Sequence, residues 1–489
     1  MVPELRADFN ARWAPERYRA FLTHLDQRAG TPVKFRVSET PCFLPQSLIT
    51  QLATTGAELL QQLVDAPAYR KASDVTIPLE FSVPNEAPHP LFAAVDFNLI
   101  RNAAGELEPR LIELQGFPSL YGFQTVFAQS YIEAYGLDPA LRIIADGSDL
   151  DSYCARLRRA ILGGHDPAHV VLLEIHPLEQ KTLPDFVVTE RITGIRTVCI
   201  TEVQKEGKQL FYLRDGVRTP IHRIYNRVIV DELQRKGVAL PFRFTDDLDV
   251  EWAGHPNWFF RISKFSLPHL RHACVPRTWF LDSFGFDSES GAAFASEPRA
   301  VPRSLKSEIS NLQSRVSDRS SKISDSRSAE APSSLESGIL NLESSASSAG
   351  ALPLPADLDN YVLKPLYSFA GLGVVVGPSR DDIASIPRAR RHDYILQERM
   401  RFEPVIQTPH GPTQAEIRIL YIWPEDATSD VGAGLQTGLR ADLKIRPYND
   451  PLHSMYLGPA IVRMGRGKMM GVDHNRDLEW VGASAGLIL

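Results

Sequence analysis

A glycine-containing loop between two apolar segments is the first candidate for chemistry in this sequence. Residues Tyr361–Pro378 read Tyr-Val-Leu-Lys-Pro-Leu-Tyr-Ser-Phe-Ala-Gly-Leu-Gly-Val-Val-Val-Gly-Pro. The apolar, β-branched runs on both sides predict strand, loop, strand, because Val374–Val376 after the last glycine argue against a helix. Small residues in Ser368–Gly373 can offer backbone N–H donors to phosphate, with Lys364 as a fixed cation beside them. The alternative is an ordinary hairpin with a surface lysine.

Two acidic residues and an amide form the second candidate. Phe92–Ile100 is predicted to be a strand, and Arg110–Gln115 the returning strand after a turn. Because strand side chains alternate, Glu113 and Gln115 point to one face, and Asp96 on the partner strand can lie close to them. Hard oxygen ligands of this kind suit Mg²⁺ shared with phosphates. The alternative is a hairpin with one solvated polar face, although the glycine-bounded loop that follows is more than such a hairpin needs.

Composition excludes several classes of function. The 489 residues predict about three domains. They are 43% hydrophobic and 23% charged, as in a globular protein with a large core. A net charge of −6 argues against a nucleic-acid-binding protein. The first residues are charged, without the apolar core of a signal peptide, and no apolar run is long enough to cross a bilayer. The four cysteines are scattered, which favours reduced thiols and a cytoplasmic location.

The candidate sites lie in four predicted regions. Residues 1–90 are predicted to be a mostly helical N-terminal region, and residues 91–150 to contain the metal-binding hairpin. Residues 151–250 are predicted to form a small α/β subdomain, and 251–489 a nucleotide-binding region. That last region is interrupted at 284–355, where serine is 17 of the 50 residues from 301 to 350. Such a composition predicts a disordered insertion, because it buries too little apolar surface to offset its ordering entropy.

The small α/β subdomain follows from a strand, helix, strand pattern. Val170–Ile175 and Arg196–Ile200 are predicted strands, and Asp185–Thr193 is the helix between them. Downstream, Arg223 and Arg227 are candidates to meet an anionic substrate. A solvated strand edge is the alternative for these two arginines.

The C-terminal third is predicted to be an antiparallel sheet with charge along one face. One strand ends at Gln397-Glu398, a later strand carries Glu416 and Arg418 at i, i+2, and a third carries Arg463. A solvated outer face would give the same pattern.

In their order along the chain, these segments resemble the ATP-grasp ligases in their circularly permuted branch. That branch includes glutathionylspermidine synthetase and the eukaryotic type of glutathione synthetase. In ordinary ATP-grasp chains, a strand pair of the form D-F … G … P-x-L-I-E-x-N lies at the C-terminal end and holds magnesium. Here its counterpart, Val95-Asp96-Phe97 through Pro109-Arg-Leu-Ile-Glu113-Leu-Gln115, comes first. The resemblance covers roughly residues 90–282 and 356–489 and implies an α+β, circularly permuted ATP-grasp fold.

The resemblance also implies roles for individual residues. Lys264, in Arg-Ile-Ser-Lys before Val275-Pro276, and Lys364 correspond to the two ATP-binding lysines. Gln397 and Glu398 correspond to the hinge that reads adenine, and Arg418 and Arg463 to catalytic arginines that face phosphate or the acyl intermediate. The remaining cofactor-binding positions are those of the flexible phosphate loop: Ser368, Gly371 and Gly373. Two departures are Gln115, where the family has asparagine, and the long insertion between the two lysines.

The function implied by this resemblance is ATP-dependent ligation. A small-molecule carboxylate would be activated as an acylphosphate and joined to an amine or thiol, with Mg²⁺ on Asp96, Glu113 and Gln115. Neither nucleic acid nor membrane is an expected partner. Two alternatives stay open: a nucleotide-binding sensor or scaffold that has lost ligase activity, and an ATP-grasp phosphotransferase.

Overall fold

The chain divides into a large unit, Met1–Asp282 with Ala356–Leu489, and a second unit, Ser283–Pro355. The computed structural model describes residues 1–285, 352–367, 373–424, 450–467 and 477–489. In the second unit only the two ends are described, and they pair in parallel through Phe284–Gly285 and Leu352–Pro353. The predicted disorder of 284–355 therefore falls mainly on residues outside the described part of the chain.

The helices begin and end where local signals predict. Leu52, Leu59 and Leu60 recur at helical spacing in the third helix and are all buried. The sixth helix begins after Asp149, whose side chain accepts a hydrogen bond from the backbone N–H of Ser152 at 2.7 Å. The labelled α-helices are α1 Pro3–Arg12, α2 Pro15–Ala29, α3 Gln46–Val64, α4 Pro67–Ala72, α5 Phe123–Tyr135, α6 Leu150–Leu162, α7 Leu183–Thr193, α8 Val230–Lys236 and α9 Asn257–Arg261.

Short helical elements connect these parts. A further α-helix, Arg380–Ala384, begins after Ser379, which caps it together with Asp382, as its Ser-x-x-Asp sequence predicts. The 3₁₀ helices are Ser73–Thr76, Leu79–Phe81, Pro167–His169, Pro177–Glu179, Ile200–Glu202, Lys264–His269, Leu281–Ser283, Leu358–Asn360 and Arg388–Asp393.

Twenty strands are present in the described residues. They are β1 Cys42–Leu44, β2 Phe92–Arg101, β3 Leu107–Gln115, β4 Val170–Glu174, β5 Arg196–Cys199, β6 Gln204–Glu206, β7 Gln209–Arg214, β8 Val217–Ile221, β9 Arg223–Asn226, β10 Glu251–Ala253, β11 Thr278–Phe280, β12 Phe284–Gly285, β13 Leu352–Pro353, β14 Tyr361–Pro365, β15 Val375–Val376, β16 Tyr394–Glu398, β17 Gln414–Ile422, β18 Tyr456–Leu457, β19 Ile461–Gly465 and β20 Gly482–Ile488.

The largest sheet joins strands from both ends of the chain. Its order is β1-β20-β19-β17-β2-β3, with β18 added to β17. The predicted hairpin, β2 with β3, is confirmed as an antiparallel pair, and β2 pairs in turn with β17 from the C-terminal third. The N-terminal region is not helical throughout, because β1 pairs in parallel with β20. Segments from three of the four predicted regions thus build one sheet.

Three smaller sheets complete the described part of the large unit. The predicted strand, helix, strand pattern is confirmed as β4, α7 and β5, which belong to a parallel sheet of order β10-β9-β4-β5. The glycine-loop strands are also confirmed, since β14 and β15 pair antiparallel in a sheet of order β11-β16-β14-β15. Strands β6, β7 and β8 form a three-stranded sheet. The whole is a mixed α+β structure with several sheets.

In the described ranges, no helix combines the length and apolar character that crossing a membrane requires.

Candidate functional site

Charged side chains from adjacent strands of the largest sheet come together on one face. Asp96 of β2 lies opposite Glu113 of β3 on one side and opposite Arg418 of β17 on the other. Arg418 and Glu416 are two residues apart and therefore share a face, and Glu416 lies opposite Arg463 of β19. The alternation that the sequence predicted thus brings five charged groups from four strands together.

Asp96 is the centre of a buried ion-pair cluster. Arg418 binds it with two hydrogen bonds, from Nε to Oδ1 at 2.5 Å and from Nη2 to Oδ2 at 2.6 Å. Arg463 Nη2 lies 2.5 Å from the same Oδ2 and also contacts Glu416. The Asp96 side chain is 1% exposed, and that of Arg418 10% exposed. Both carboxylate oxygens of Asp96 are therefore held by guanidinium groups.

These contacts shift the protonation equilibria of the two buried acids in opposite directions. Burial alone would raise the pKa of Asp96, but Arg418 and Arg463 outweigh it, and the pKa is lowered. The pKa of Glu416 is raised, chiefly by burial, because Arg463 compensates only part of that effect and Asp96 adds repulsion. Asp96 is thus the ionised member of the cluster, and Glu416 the one that more readily takes up a proton.

The donor chemistry of Glu113 and Gln115 fits a hard cation. Both side chains are partly exposed, and Gln115 Nε2 donates to Glu113 Oε1 at 2.6 Å. One or two carboxylates that share Mg²⁺ with substrate phosphates are a usual arrangement for this ion. The oxygens of Asp96, the third predicted ligand, accept hydrogen bonds from two arginines, whose positive charge opposes a cation at that position. Among the described residues, no group of three His, Cys, Asp or Glu side chains is arranged to hold a metal ion.

Lys364 lies on the neighbouring sheet and is held by Gln397. Its Nζ donates to Gln397 Oε1 at 2.6 Å, and Gln397 Nε2 donates to Thr278 Oγ1 at 3.0 Å. The register explains the first contact, because Gln397 lies opposite Val362, two residues from Lys364 and on the same face of the sheet. Gln397, predicted to read adenine, thus has a side chain that is 1% exposed and bound to a lysine.

Lys264 is brought to the site by backbone contacts with β3. It begins the 3₁₀ helix Lys264–His269 after Ser263, which forms a capping box. The chain before that helix accepts a hydrogen bond at Ile262 O from the N–H of Gly116, directly after β3. A Cβ at Gly116 would lie 2.4 Å from Trp258 O, so only glycine permits this approach.

Electrostatics connect the two lysines with the acidic face. The pKa of Lys364 is lowered to about 8, chiefly by burial; Glu113 and Glu416 act to raise the pKa, and Lys264 adds to the lowering. The pKa of Lys264 is also lowered by burial, against the attraction of Glu113 and Asp231. Glu113 is therefore within electrostatic range of both predicted ATP-binding lysines.

Comparisons with known proteins add a structural likeness. No family model matches the sequence, and no curated protein matches it. A solved structure, a glutathione synthetase-like effector from Globodera pallida in its apo form, is similar with a TM-score of 0.47 and 11% identity, over 100% of this chain and 98% of that chain. These values assign no family. A score this low carries no argument about function, which must come from the residues.

The structure describes two of the remaining predicted site residues, Gly373 and Glu398. Ser368 and Gly371 lie outside the described residues. Gly373, at the end of the loop, has a left-handed backbone with φ of +72°. Glu398 forms an ion pair with Arg277 at 2.5 Å, and strand alternation directs it to the face opposite Gln397.

The two arginines suggested as substrate-facing have buried side chains that are held in ion pairs. Arg223 binds Glu251 at 2.6 Å and donates to Ile161 O at 3.1 Å. Arg227 contacts Asp185, with side-chain exposures of 3% and 0%. Neither arginine is therefore an exposed anion-binding group.

Asp185 explains the loop that follows the hairpin. Its carboxylate accepts hydrogen bonds from the backbone N–H groups of Leu120, Gly122 and Phe123, at 3.1, 3.0 and 2.9 Å. The loop is thus fixed from α7 by an acid that Arg227 neutralises.

A separate cavity of about 330 Å³ adjoins the small parallel sheet. Arg223, Glu251, Trp252 and His255 contribute to its walls. None of the residues predicted for nucleotide, metal or catalysis lines it.

Sequence reasoning missed two groups near Lys264 and Lys364. Thr278 carried no signal, because a threonine after a Val-Pro pair is ordinary in a strand. Asp231 stands in Val-Ile-Val-Asp-Glu-Leu, which predicts only the acidic first turn of a helix.

Proposed function

We propose that this chain is an ATP-dependent ligase that joins a carboxylate to an amine or thiol through an acylphosphate, on a circularly permuted ATP-grasp fold. One observation carries the proposal: Lys264 and Lys364, which are 100 residues apart in sequence, are both within electrostatic range of Glu113, and Glu113 shares a sheet face with Asp96 and Arg418. Cations beside acidic metal ligands are what the transfer of a phosphoryl group requires.

The proposed reaction has two steps. An oxygen of the substrate carboxylate attacks the γ-phosphorus of ATP, the bond from that phosphorus to the bridging oxygen breaks, and ADP leaves. The amine or thiol then attacks the acyl carbon and expels phosphate, and its proton passes to solvent. Lys364 and Lys264 stabilise the negative charge that moves between phosphate oxygens. Glu113 and Gln115 would hold Mg²⁺, which would neutralise phosphate charge when bound.

The strand order supports the permuted arrangement. The hairpin β2–β3 comes early in the chain and yet lies beside β17 from the C-terminal third. In the permuted order the metal-binding hairpin precedes the lysine-bearing segments, so the hairpin joins the C-terminal strands by pairing with β17.

The cluster around Asp96 favours a second candidate, a nucleotide-binding sensor or scaffold without turnover. Asp96 is a predicted ligand of the proposed metal site, and both of its oxygens are bound to Arg418 and Arg463. If those bonds persist when nucleotide binds, the metal has two protein ligands and positions the γ-phosphate less firmly.

A thermal-shift titration with ATP, ADP or GTP, each with and without Mg²⁺, tests nucleotide binding. A ligand at about 100 times its Kd that binds only the folded state adds about 2.7 kcal/mol of stability. We expect a Mg²⁺-dependent shift with adenine nucleotides that Lys364→Met abolishes. Lys208→Met is the matched control, because Lys208 is a 59% exposed lysine paired with Asp247 on the surface. No shift with any nucleotide would contradict both candidate functions.

Turnover separates the two candidates. Phosphate release from ATP is measured with panels of carboxylates, amines and thiols, for the wild type and for Glu113→Gln. A ligase releases phosphate only when an acceptor carboxylate is present, and the variant loses most of that activity. Binding without phosphate release under any combination would favour the sensor or scaffold.

A further inference from the structure

We propose that Gln397 is a positioning residue that fixes the ammonium group of Lys364, and that its side chain does not read the nucleotide base. The inference rests on the proposed function only in taking Lys364 as a phosphate-binding lysine. It changes the role that the resemblance implies for Gln397, from specificity to the placement of a charge.

A directed chain of three hydrogen bonds carries the proposal. Lys364 Nζ donates to Gln397 Oε1 at 2.6 Å, Gln397 Nε2 donates to Thr278 Oγ1 at 3.0 Å, and Thr278 Oγ1 donates to Pro276 O at 2.9 Å. The first two links join neighbouring strands of one sheet, because Thr278, Gln397 and Lys364 belong to β11, β16 and β14, and the third link is local. Gln397 sits on the central strand of the three and lies directly opposite Thr278.

The chemistry of the donors fixes the orientation of the amide. An ammonium group has donors and no acceptor, so the carbonyl oxygen of Gln397 must face Lys364. The amide nitrogen then faces Thr278 Oγ1, which has lone pairs to accept because its own proton goes to Pro276 O. In the flipped amide, Gln397 Nε2 would face Lys364 Nζ, so two donors would meet. Gln397 Oε1 would then face the Thr278 hydroxyl, whose proton is already donated to Pro276 O. Only one orientation satisfies all the groups.

Burial makes the bond consequential. Gln397 is 1% exposed, so its amide has little access to water and depends on Lys364 and Thr278 for its hydrogen bonds, whereas Lys364 is itself partly exposed. The neighbouring Glu398 cannot serve as the acceptor in place of Gln397, because Glu398 lies on the other face in an ion pair with Arg277. An acceptor favours the charged form of a lysine and sets where its remaining donors point.

The test is the pH dependence of Lys364 acylation in the full-length protein without nucleotide. Pulses of acetic anhydride between about pH 6 and about pH 10 are followed by digestion and mass spectrometry, which reports the reactive, neutral amine at each lysine. The other charged groups that act on Lys364 are Glu113, Lys264 and Glu416, and all three are unchanged in the variants. Lys208 in the same digest is the internal control.

Two variants move the midpoint in opposite directions. Gln397→Met keeps the size of the side chain and removes the acceptor, so the acylation midpoint of Lys364 falls by about one pH unit. Gln397→Glu adds a negative charge and raises the midpoint by about one unit or more. Unchanged midpoints in whichever variants retain the wild-type melting temperature would overturn the proposal, because a merely structural Gln397 would leave the titration of Lys364 unaltered.

Nucleotide binding is the second measurement, and it distinguishes a failure of the ligase proposal from a failure of the proposed role of Gln397. The ATP affinity of Gln397→Met should fall more at about pH 8.5 than at about pH 6.5, because less of Lys364 is protonated at the higher pH. The preference for ATP over GTP should stay the same, and a changed preference would make Gln397 a base-reading residue instead. If no nucleotide binds to the wild type, the ligase proposal fails, while the acylation midpoints still decide the role of Gln397.

Discussion

Replacing Arg418 with methionine tests whether the Asp96 cluster is a buried ion pair. The change removes both hydrogen bonds that Arg418 gives to the carboxylate, at 2.5 and 2.6 Å. Asp96 is 1% exposed, so water cannot take the place of the guanidinium. Removing one partner of a buried pair destabilises by about 3–5 kcal/mol. Because Arg463 still lies 2.5 Å from Asp96, we expect the lower end of that range, about 3 kcal/mol.

The pH dependence of the loss gives a sharper prediction. In the wild type the pKa of Asp96 is lowered, so its contribution to stability is present above the unfolded pKa of about 4 and is lost only as pH falls through the lower folded value. Without Arg418, burial dominates and the folded pKa of Asp96 rises above the unfolded value. The variant is then penalised as pH rises through that raised pKa. The difference in unfolding free energy between variant and wild type should therefore be smaller at about pH 5 than at about pH 7.5.

Urea denaturation at several pH values measures both effects, provided that the m-values of the variants agree. Arg101→Met is the matched control, because Arg101 ends the same strand, β2, and forms an ion pair with Glu403 at 2.9 Å while 49% exposed. Such a surface pair contributes at most about 1 kcal/mol. The double variant Arg418→Met with Asp96→Leu should recover much of the loss, since neither charge is left alone. A loss below about 1 kcal/mol for Arg418→Met, independent of pH, would refute the buried pair.

Two further predictions concern the segments that frame the site. Gly373→Ala should destabilise the protein by about 1–2 kcal/mol, because φ is +72° and the new Cβ would lie 3.1 Å from Pro365. Gly207→Ala is the control in the same denaturation assay. Its φ is +59° and its new Cβ would have no atom within 4 Å, so it measures the backbone part of the effect alone. Equal losses in the two variants would exclude a role for the contact. Asp185→Asn should destabilise by about 3 kcal/mol, because it leaves the buried guanidinium of Arg227 without its acid, and hydrogen exchange should rise in the loop that Asp185 holds. Unaltered exchange there would mean that the backbone holds the loop without the carboxylate.

The sequence predicts those elements of the fold that depend on neighbouring residues alone, such as hairpins and the faces of their strands. Alternation along β2 and β3 was enough to infer that Asp96 and Glu113 share a face, because a hairpin fixes register within a few residues. The same holds for the strands around the glycine loop. The register shift between Asp96 and Phe97 was not predictable, because no glycine or proline marks it.

Local sequence patterns could not predict which distant residues the predicted site residues would contact. Asp96 and Arg418 are 322 residues apart, and nothing in either segment says which acid an arginine will meet. β1 was hidden for a similar reason: it has three residues between helices, and it is a strand only because β20 provides its hydrogen bonds. Gln397 resembled a hinge residue by position, but its contact with Lys364 depends on a diagonal neighbour on the adjacent strand.

The cations of the candidate site differ in whether an acidic side chain already neutralises them. Arg418 and Arg463 are bound to Asp96, so their charge serves first to keep a buried carboxylate ionised. Lys364 has a neutral amide as its hydrogen-bond acceptor, and Glu113 and Glu416 attract its charge through space. A group held in that way attracts a phosphate more strongly than one already paired with a carboxylate, because no ion pair has to be broken first. In the proposed function, anion binding therefore centres on Lys364, and the arginines contribute through the acid that they hold in place.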